Sequence, residues 1–230
     1  MLKLESCIIA NGAFQLHADV SIEAGSSVAV IGPSGAGKST LLEAIAGFRQ
    51  ISTGHISWKG QDLTELAPGK RPIAMLFQDG NLFPHLTAEQ NAALGLRPSG
   101  KLSKAEQAQV LAALERVGLA GMGTRKPAEL SGGQQSRVAL ARVLVQHRDL
   151  LLLDEPFAAL GPALKAEMLD LVAELATETG TTLLMVSHDP QDARRITNQA
   201  MLVAGSTVHP PAKTTQLLDN PPPALKEYLG

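Results

Sequence analysis

The residues best suited to chemistry lie in three short runs. The first, Gly32-Pro33-Ser34-Gly35-Ala36-Gly37-Lys38-Ser39, has the full spacing G-x-x-x-x-G-K-[ST] and is followed by Thr40. Glycines let such a loop curl so that successive backbone N–H groups point inward at phosphate oxygens, and a helix beginning behind it adds positive potential. Lys38 would neutralise charge on β- and γ-phosphates, and the Ser39 hydroxyl suits Mg2+. A glycine-rich turn can match the pattern by chance. Here the apolar run Val28-Ala29-Val30-Ile31 precedes it and a helical pattern follows, which is the context phosphate binding requires.

The second run is Leu150-Leu151-Leu152-Leu153-Asp154-Glu155-Pro156. It reads as a buried strand delivering two acids to its C-terminal edge, where parallel sheets bind ligands. Neighbours on a strand point to opposite faces, so the acids should have different tasks. Asp154 would serve a Mg2+ shell. Glu155 would polarise an attacking water as general base, a role worth roughly 10²–10⁴-fold in rate. An acidic helix cap is the bland alternative. The third run, Leu130-Ser131-Gly132-Gly133-Gln134, puts a serine and two glycines at a helix start. That makes a second place friendly to anions, although most such strings are only capped turns, with Ser131 as the cap.

These runs need elements to hold them. The stretch to residue 31 reads as short strands, 40–47 as a helix, and 54–58 and 73–77 as further strands. Helical signals occupy 87–118, with Val110, Leu111, Leu114 and Val117 sharing a face, and resume over 134–147. Strand 150–153, an amphipathic helix marked by Leu164, Met168, Leu171, Val172 and Leu175, and strand 182–187 follow. Pro210-Pro211 and Pro221-Pro222-Pro223 break the tail into turns and short helices. The expectation is an α/β fold: a mixed-sheet core with an antiparallel N-terminal β part, and a helical subdomain at 87–148 inserted between 1–86 and 149–230 of one domain spanning 1–230.

Composition excludes some classes. Lys and Arg number 20 against 22 Asp and Glu, so no general basic field attracts nucleic acid and no such partner is expected. Cys7 has no second cysteine to pair with, which suits a reducing compartment. Met1-Leu2-Lys3-Leu4-Glu5 lacks the apolar run of a signal peptide, and no apolar stretch of about 18 residues marks a membrane span. Work at a membrane would then require docking on a partner. His147-Arg148-Asp149-Leu150 imitates a kinase catalytic loop, but the asparagine such a loop needs would fall at Asp154 and no D-F-G follows. A guanine motif N/T-K-x-D is also missing.

In this order and spacing the chain resembles the ABC transporter ATPases, a P-loop NTPase family. Its Walker A would be 32–39, its signature LSGGQ 130–134, and its Walker B with catalytic glutamate 150–155. The resemblance matches Gln78 to the Q-loop glutamine and His188, in Val186-Ser187-His188-Asp189, to the switch histidine. It implies ATP and Mg2+ as cofactors and a head-to-tail pair with a second copy. Ser131, Gly132, Gly133 and Gln134 of one copy would then face the triphosphate held by 32–40 of the other. His188 would contact the γ-phosphate in cis, and Gln78, a catalytic residue and with Ser39 and Asp154 a ligand of Mg2+, would link that site to a membrane permease. Two departures stand out. Asn11, with Phe14 nearby, occupies the place of the adenine-stacking aromatic, and Gly161 replaces the D-loop aspartate in Ala158-Ala159-Leu160-Gly161.

Within the family, the opening Met1-Leu2-Lys3-Leu4, Lys70 to Leu96 (KRPIAMLFQDGNLFPHLTAEQNAALGL) and the short C-terminus are similar to the ATP-binding subunits of bacterial thiamine importers. That implies a permease partner, a periplasmic binding protein acting indirectly, a place on the cytoplasmic face of the inner membrane, and thiamine or its phosphates as cargo. Related iron(III), sulfate, molybdate or polyamine importers carry the same motifs. A soluble ABC ATPase acting on nucleic acid or ribosomes, and a module without turnover, are the other readings. Phe77, Leu82, Phe83 and Leu86 either dock the permease or pack inside the helical subdomain.

Overall fold

The computed structural model describes residues 1–78, 80–98 and 101–229, without the side chains of residue 11 and of 227–229. Its strands are β1 (Leu2–Asn11), β2 (Phe14–Ile22), β3 (Ser27–Ile31), β4 (Thr53–Trp58), β5 (Gln61–Asp62), β6 (Ile73–Leu76), β7 (Leu150–Asp154), β8 (Thr182–Val186), β9 (Gln199–Ala204), β10 (Thr207–Val208) and β11 (Ala212–Lys213). The helices are α1 (Lys38–Ala46), α2 (Ala88–Ala93), α3 (Lys104–Arg116), α4 (Gly132–Leu144), α5 (Pro162–Thr179), α6 (Pro190–Ile196), α7 (Thr214–Asp219) and α8 (Pro223–Leu229).

The strands form one mixed sheet in the order β5-β4-β1-β2-β10-β9-β3-β8-β7-β6, with β11 beside β9. Strands β6, β7, β8, β3 and β9 are mutually parallel. Antiparallel pairing of β2, β1, β4 and β5 forms the N-terminal β part.

Residue pattern explains the difference. In β2, Leu16, Ala18, Val20 and Ile22 are buried while the residues between them face water, the alternation of a half-covered sheet. In β7 consecutive leucines go to opposite faces. Leu150 and Leu152 join the cluster around α1, and Leu151 and Leu153 join the one around α4 and α5. A strand covered on both faces has no room for a polar residue until its end, which is why the acids begin at Asp154.

Helices α2, α3 and α4 carry the helical part, each opened by a capping box at Thr87, Ser103 or Ser131. Val110, Leu114 and Val117 pack inward as expected. Leu111 does not: it is 48% exposed, because one step along a helix turns it about 100° out of the stripe. Helix α1 begins at Lys38, two residues earlier than the apolar pattern marks, so the loop's lysine and serine form its first turn.

Candidate active site

The phosphate-type loop is bounded by two close approaches. At Gly32 (φ 148°) an added Cβ would lie 2.1 Å from the Val203 carbonyl oxygen of β9. At Gly37 (φ 103°) it would lie 3.0 Å from Phe14 Cε1, so the Phe14 ring rests directly on the loop. Gly37 is also the N-cap of α1, with no side-chain cap and no acid in the first turn. In α2, α3 and α4 the capping box satisfies the N–H groups of the N-cap and of the third helical residue and leaves those of the first two; α1 has no side-chain cap at all, so its positive end is the most open to an anion.

Lys38 is only 8% exposed, and its Nζ donates to the carbonyls of Gly32 at 2.8 Å and Pro33 at 2.9 Å. Burial pushes its pKa below the usual lysine value, against the pull of Glu155 and Asp154. A cation held in this way is primed for a ligand of high negative charge.

Ser39 Oγ donates to Asp154 Oδ1 at 3.1 Å, bringing α1 and β7 together. Burial raises the Asp154 pKa, and the Ser39 hydrogen bond only partly offsets it. A hydroxyl and a carboxylate are hard oxygen donors, the set that suits Mg2+ completed by phosphate oxygens.

Glu155 lies past the end of β7 with φ 46°, a conformation rare for a residue with a side chain. Its N–H donates to Val186 O at 3.2 Å. The separate directions expected of the two acids therefore come from this left-handed step as well as from strand alternation. Parallel register sets Asp154 opposite Val186, and the chain beyond β8 then brings His188 Nδ1 to 3.4 Å from Glu155 Oε2. Gln78 follows β6, is exposed, and lies two residues after Leu76, the register partner of Leu153. No hydrogen bond among the described residues joins it to Ser39 or Asp154.

The glycine-rich start of α4 stands apart. Ser131 is the N-cap, accepting from Gln134 N–H at 3.3 Å, while Ser131 N–H donates to Gln134 Oε1 at 3.0 Å. The two glycines differ. An added Cβ on Gly133 would meet Leu164 Cδ2 at 2.2 Å, whereas on Gly132 it would meet no described atom within 4 Å. Among the described residues no hydrogen bond or ion pair links 131–134 to the loop 32–39. Gly161 is the uncapped N-cap of α5, before Pro162. The side chain of Asn11 lies outside the described residues.

Around Gln78, Leu82 packs against the helical core while Phe83 is 48% exposed. Phe77 is tilted against Phe48, ring centroids 5.7 Å apart, and Phe48 is itself 57% exposed. Sequence reading missed Phe48, which follows Gly47, the C-cap of α1, and carries no motif. It also missed Lys165, whose Nζ lies 2.7 Å from Asp192 Oδ2 and 3.3 Å from Asp189 Oδ2 beside His188. Only the basic residue at a helix start could have drawn attention to it.

Comparison with known proteins agrees with this fold. The family model described as ABC transporter matches residues 16–158. The chain is 67% identical over 230 residues, 100% of both chains, to the thiamine import ATP-binding protein ThiQ of Ruegeria sp. (strain TM1040). It is 57% identical, again over 100% of both, to the protein of the same name from Cereibacter sphaeroides. Among solved structures it is similar to the ATP-binding cassette MJ0796, solved as a dimer in a post-hydrolysis state bound to ADP and Pi. The TM-score is 0.80 at 29% identity, covering 93% of this chain and 99% of that one.

Proposed function

The chain belongs to the ABC transporter family, and on that premise we propose that it is the ATP-hydrolysing subunit of a bacterial importer that energises thiamine uptake through a permease. The observation that carries the activity is the convergence of Lys38, Ser39, Asp154, Glu155 and His188 on one edge of the parallel strands. The cargo rests on relatives 46–67% identical, each a thiamine import ATP-binding protein.

The backbone of 32–37 and the open first turn of α1, with Ser39 and Thr40, would cradle the phosphates, and Lys38 would pair with them. Ser39 and Asp154, joined by Gln78, would hold Mg2+, which when bound neutralises phosphate charge. Glu155 Oε2 would accept the proton of the attacking water, and His188 would hold Glu155 and the terminal phosphate in register. Catalysis then comes mainly from positioning and electrostatics. Phe14, lying on Gly37, is the residue available to pack against the nucleotide where Asn11 offers no ring.

Two copies would pair head to tail, with Ser131, Gly132, Gly133 and Gln134 of one facing the triphosphate of the other. Gly132 supports this: nothing within the described chain requires it to lack a side chain. We divide the single domain into a core of 1–86 with 149–230 and a helical part of 87–148; the groove at their junction, lined by Phe83 and Leu86, with Phe48 and Phe77 beside Gln78, would meet the permease. Among the described residues no helix is long and apolar enough to cross a membrane. A peripheral place on the cytoplasmic face is proposed accordingly, with a periplasmic binding protein delivering cargo from the other side.

Uptake of labelled thiamine into vesicles holding the assembled complex tests the reading. ATP-dependent uptake by the wild type and none by Glu155→Gln is the expected result. Uptake of another cargo but not thiamine would reassign the importer, and equal ATP hydrolysis by both proteins would reject the site.

A further inference from the structure

The first turn of α5 touches two motifs at once. Leu164 faces the first turn of α4, filling the space that any side chain on Gly133 would need. Its neighbour Lys165 is turned about 100° around the helix axis. The Lys165 ammonium reaches Asp192 at 2.7 Å and Asp189 at 3.3 Å. Asp192 also accepts from Ser187 Oγ at 2.5 Å, and Asp189 caps α6 by accepting from Gln191 N–H at 2.9 Å. Ser187 and Asp189 are the residues on either side of His188. One lysine therefore anchors both flanks of the histidine.

We propose that Leu164 and Lys165 form a relay within each chain, tying the Ser131–Gly133 turn to the loop that carries His188. It rests on the head-to-tail reading above. In that pair the turn serves the second copy's triphosphate and His188 serves the chain's own. The relay makes occupation of one site set the hydrolytic geometry of the other.

Three features favour a rigid link. Adjacent helical residues point about 100° apart yet move as one body, so Leu164 and Lys165 can read different elements without a soft joint between them. A second tie, Arg137 to Glu167 at 2.6 Å, fixes α4 to α5 one turn further on. Lys165 N–H donates to Gly161 O at 2.9 Å, so the turn starts at the position where the family's aspartate is missing. Gly161 offers no side chain of its own to such a link, and the next turn supplies one. Burial disfavours the Lys165 ammonium, but Asp192 and Asp189 outweigh it and hold its pKa above the ordinary lysine value.

Leu164 and Lys165 are positioning residues and touch no reacting atom. The test uses the complex assembled with its permease in vesicles, reading phosphate release against ATP concentration. Lys165→Met should lower kcat roughly 10-fold, with ATP affinity within about twofold of wild type. Lys165→Arg should recover at least about half of the rate, because a guanidinium can span both carboxylates. Leu164→Ala should lower the rate too, and the double variant should be no slower than Lys165→Met, as residues on one path are not additive. The Hill slope for ATP should fall toward about 1 in each impaired variant.

A Lys165→Met rate within about twofold of wild type, a Lys165→Arg rate as low as that of Lys165→Met, or losses that multiply in the double variant would overturn the relay. Thermal melting reports whether each variant folds, and Asp192→Asn carries the same test should Lys165→Met unfold. Wild type hydrolysing no faster than Glu155→Gln would instead remove the functional reading, and the relay with it.

Discussion

His188 Nδ1 lies 3.4 Å from Glu155 Oε2, across the ends of two neighbouring parallel strands. In the proposed mechanism that contact would make the histidine part of the hydrolytic group, giving Glu155 a partner that fixes its orientation as a water loses its proton.

Glu155→Gln should therefore lower steady-state phosphate release by roughly 10²–10⁴-fold while leaving ATP binding nearly intact, since the amide keeps the shape and loses the basicity. His188→Ala should lower the rate in the same direction. Phosphate release and equilibrium nucleotide binding, measured on the same preparations, check both. A Gln variant that retains more than about a tenth of the activity would falsify the assignment of Glu155 as base.

Asp154 predicts a pH dependence. Burial raises its pKa above the ordinary 3.8, so the folded protein holds this proton more tightly than the unfolded chain does. As pH rises through the raised value the carboxylate ionises at a cost to stability, and Mg2+, if held there as proposed, would offset that cost by requiring the ionised form. ATP affinity measured with Mg2+ should weaken as pH falls toward the raised value. Asp154→Asn should lose that part of the slope together with most of the Mg2+ dependence. The difference between the two proteins over about pH 4 to 7, with and without chelator, isolates this group from the phosphates' own titration. Identical slopes would show that Asp154 is not the metal's ligand.

The two glycines that open α4 should fail differently. Gly133→Ala drives a Cβ to within 2.2 Å of Leu164 Cδ2 and should destabilise the fold by about 1–3 kcal/mol, seen as a lower melting temperature. Gly132→Ala meets no described atom within 4 Å. It should keep or slightly raise stability, by up to ~1 kcal/mol, because alanine favours the helix. Yet hydrolysis by the assembled pair should fall at least about tenfold, as the methyl intrudes on the neighbour's triphosphate. Full activity in Gly132→Ala would remove the seam.

Gly161→Asp should be structurally easy. The residue has φ −64°, caps α5, and has open space where a Cβ would go. A cap there is worth only a few tenths of a kcal/mol over glycine. If the missing aspartate weakens communication between the two ATP sites, the substitution should raise the hydrolysis rate of the complex by about twofold or more. An unchanged rate, with melting unchanged or slightly higher, would mean that the chain does not need that carboxylate.

The phosphate loop, the acid pair and the capped turn were all legible in the sequence, as were the strands before and after them. Each is contiguous, and each is governed by local rules: glycine where the backbone turns left-handed, an apolar run where a strand is covered on both faces, a serine where a helix needs a cap. Their order along the chain even named the family. The 3.1 Å meeting of Ser39 with Asp154, the Glu155–His188 contact, the Val203 carbonyl against Gly32 and the grip of Lys165 on both sides of His188 belong to the tertiary structure alone. These depend on which strands lie side by side and in what register. Register is settled by burying two apolar faces at once over the whole sheet, a condition that no single segment carries.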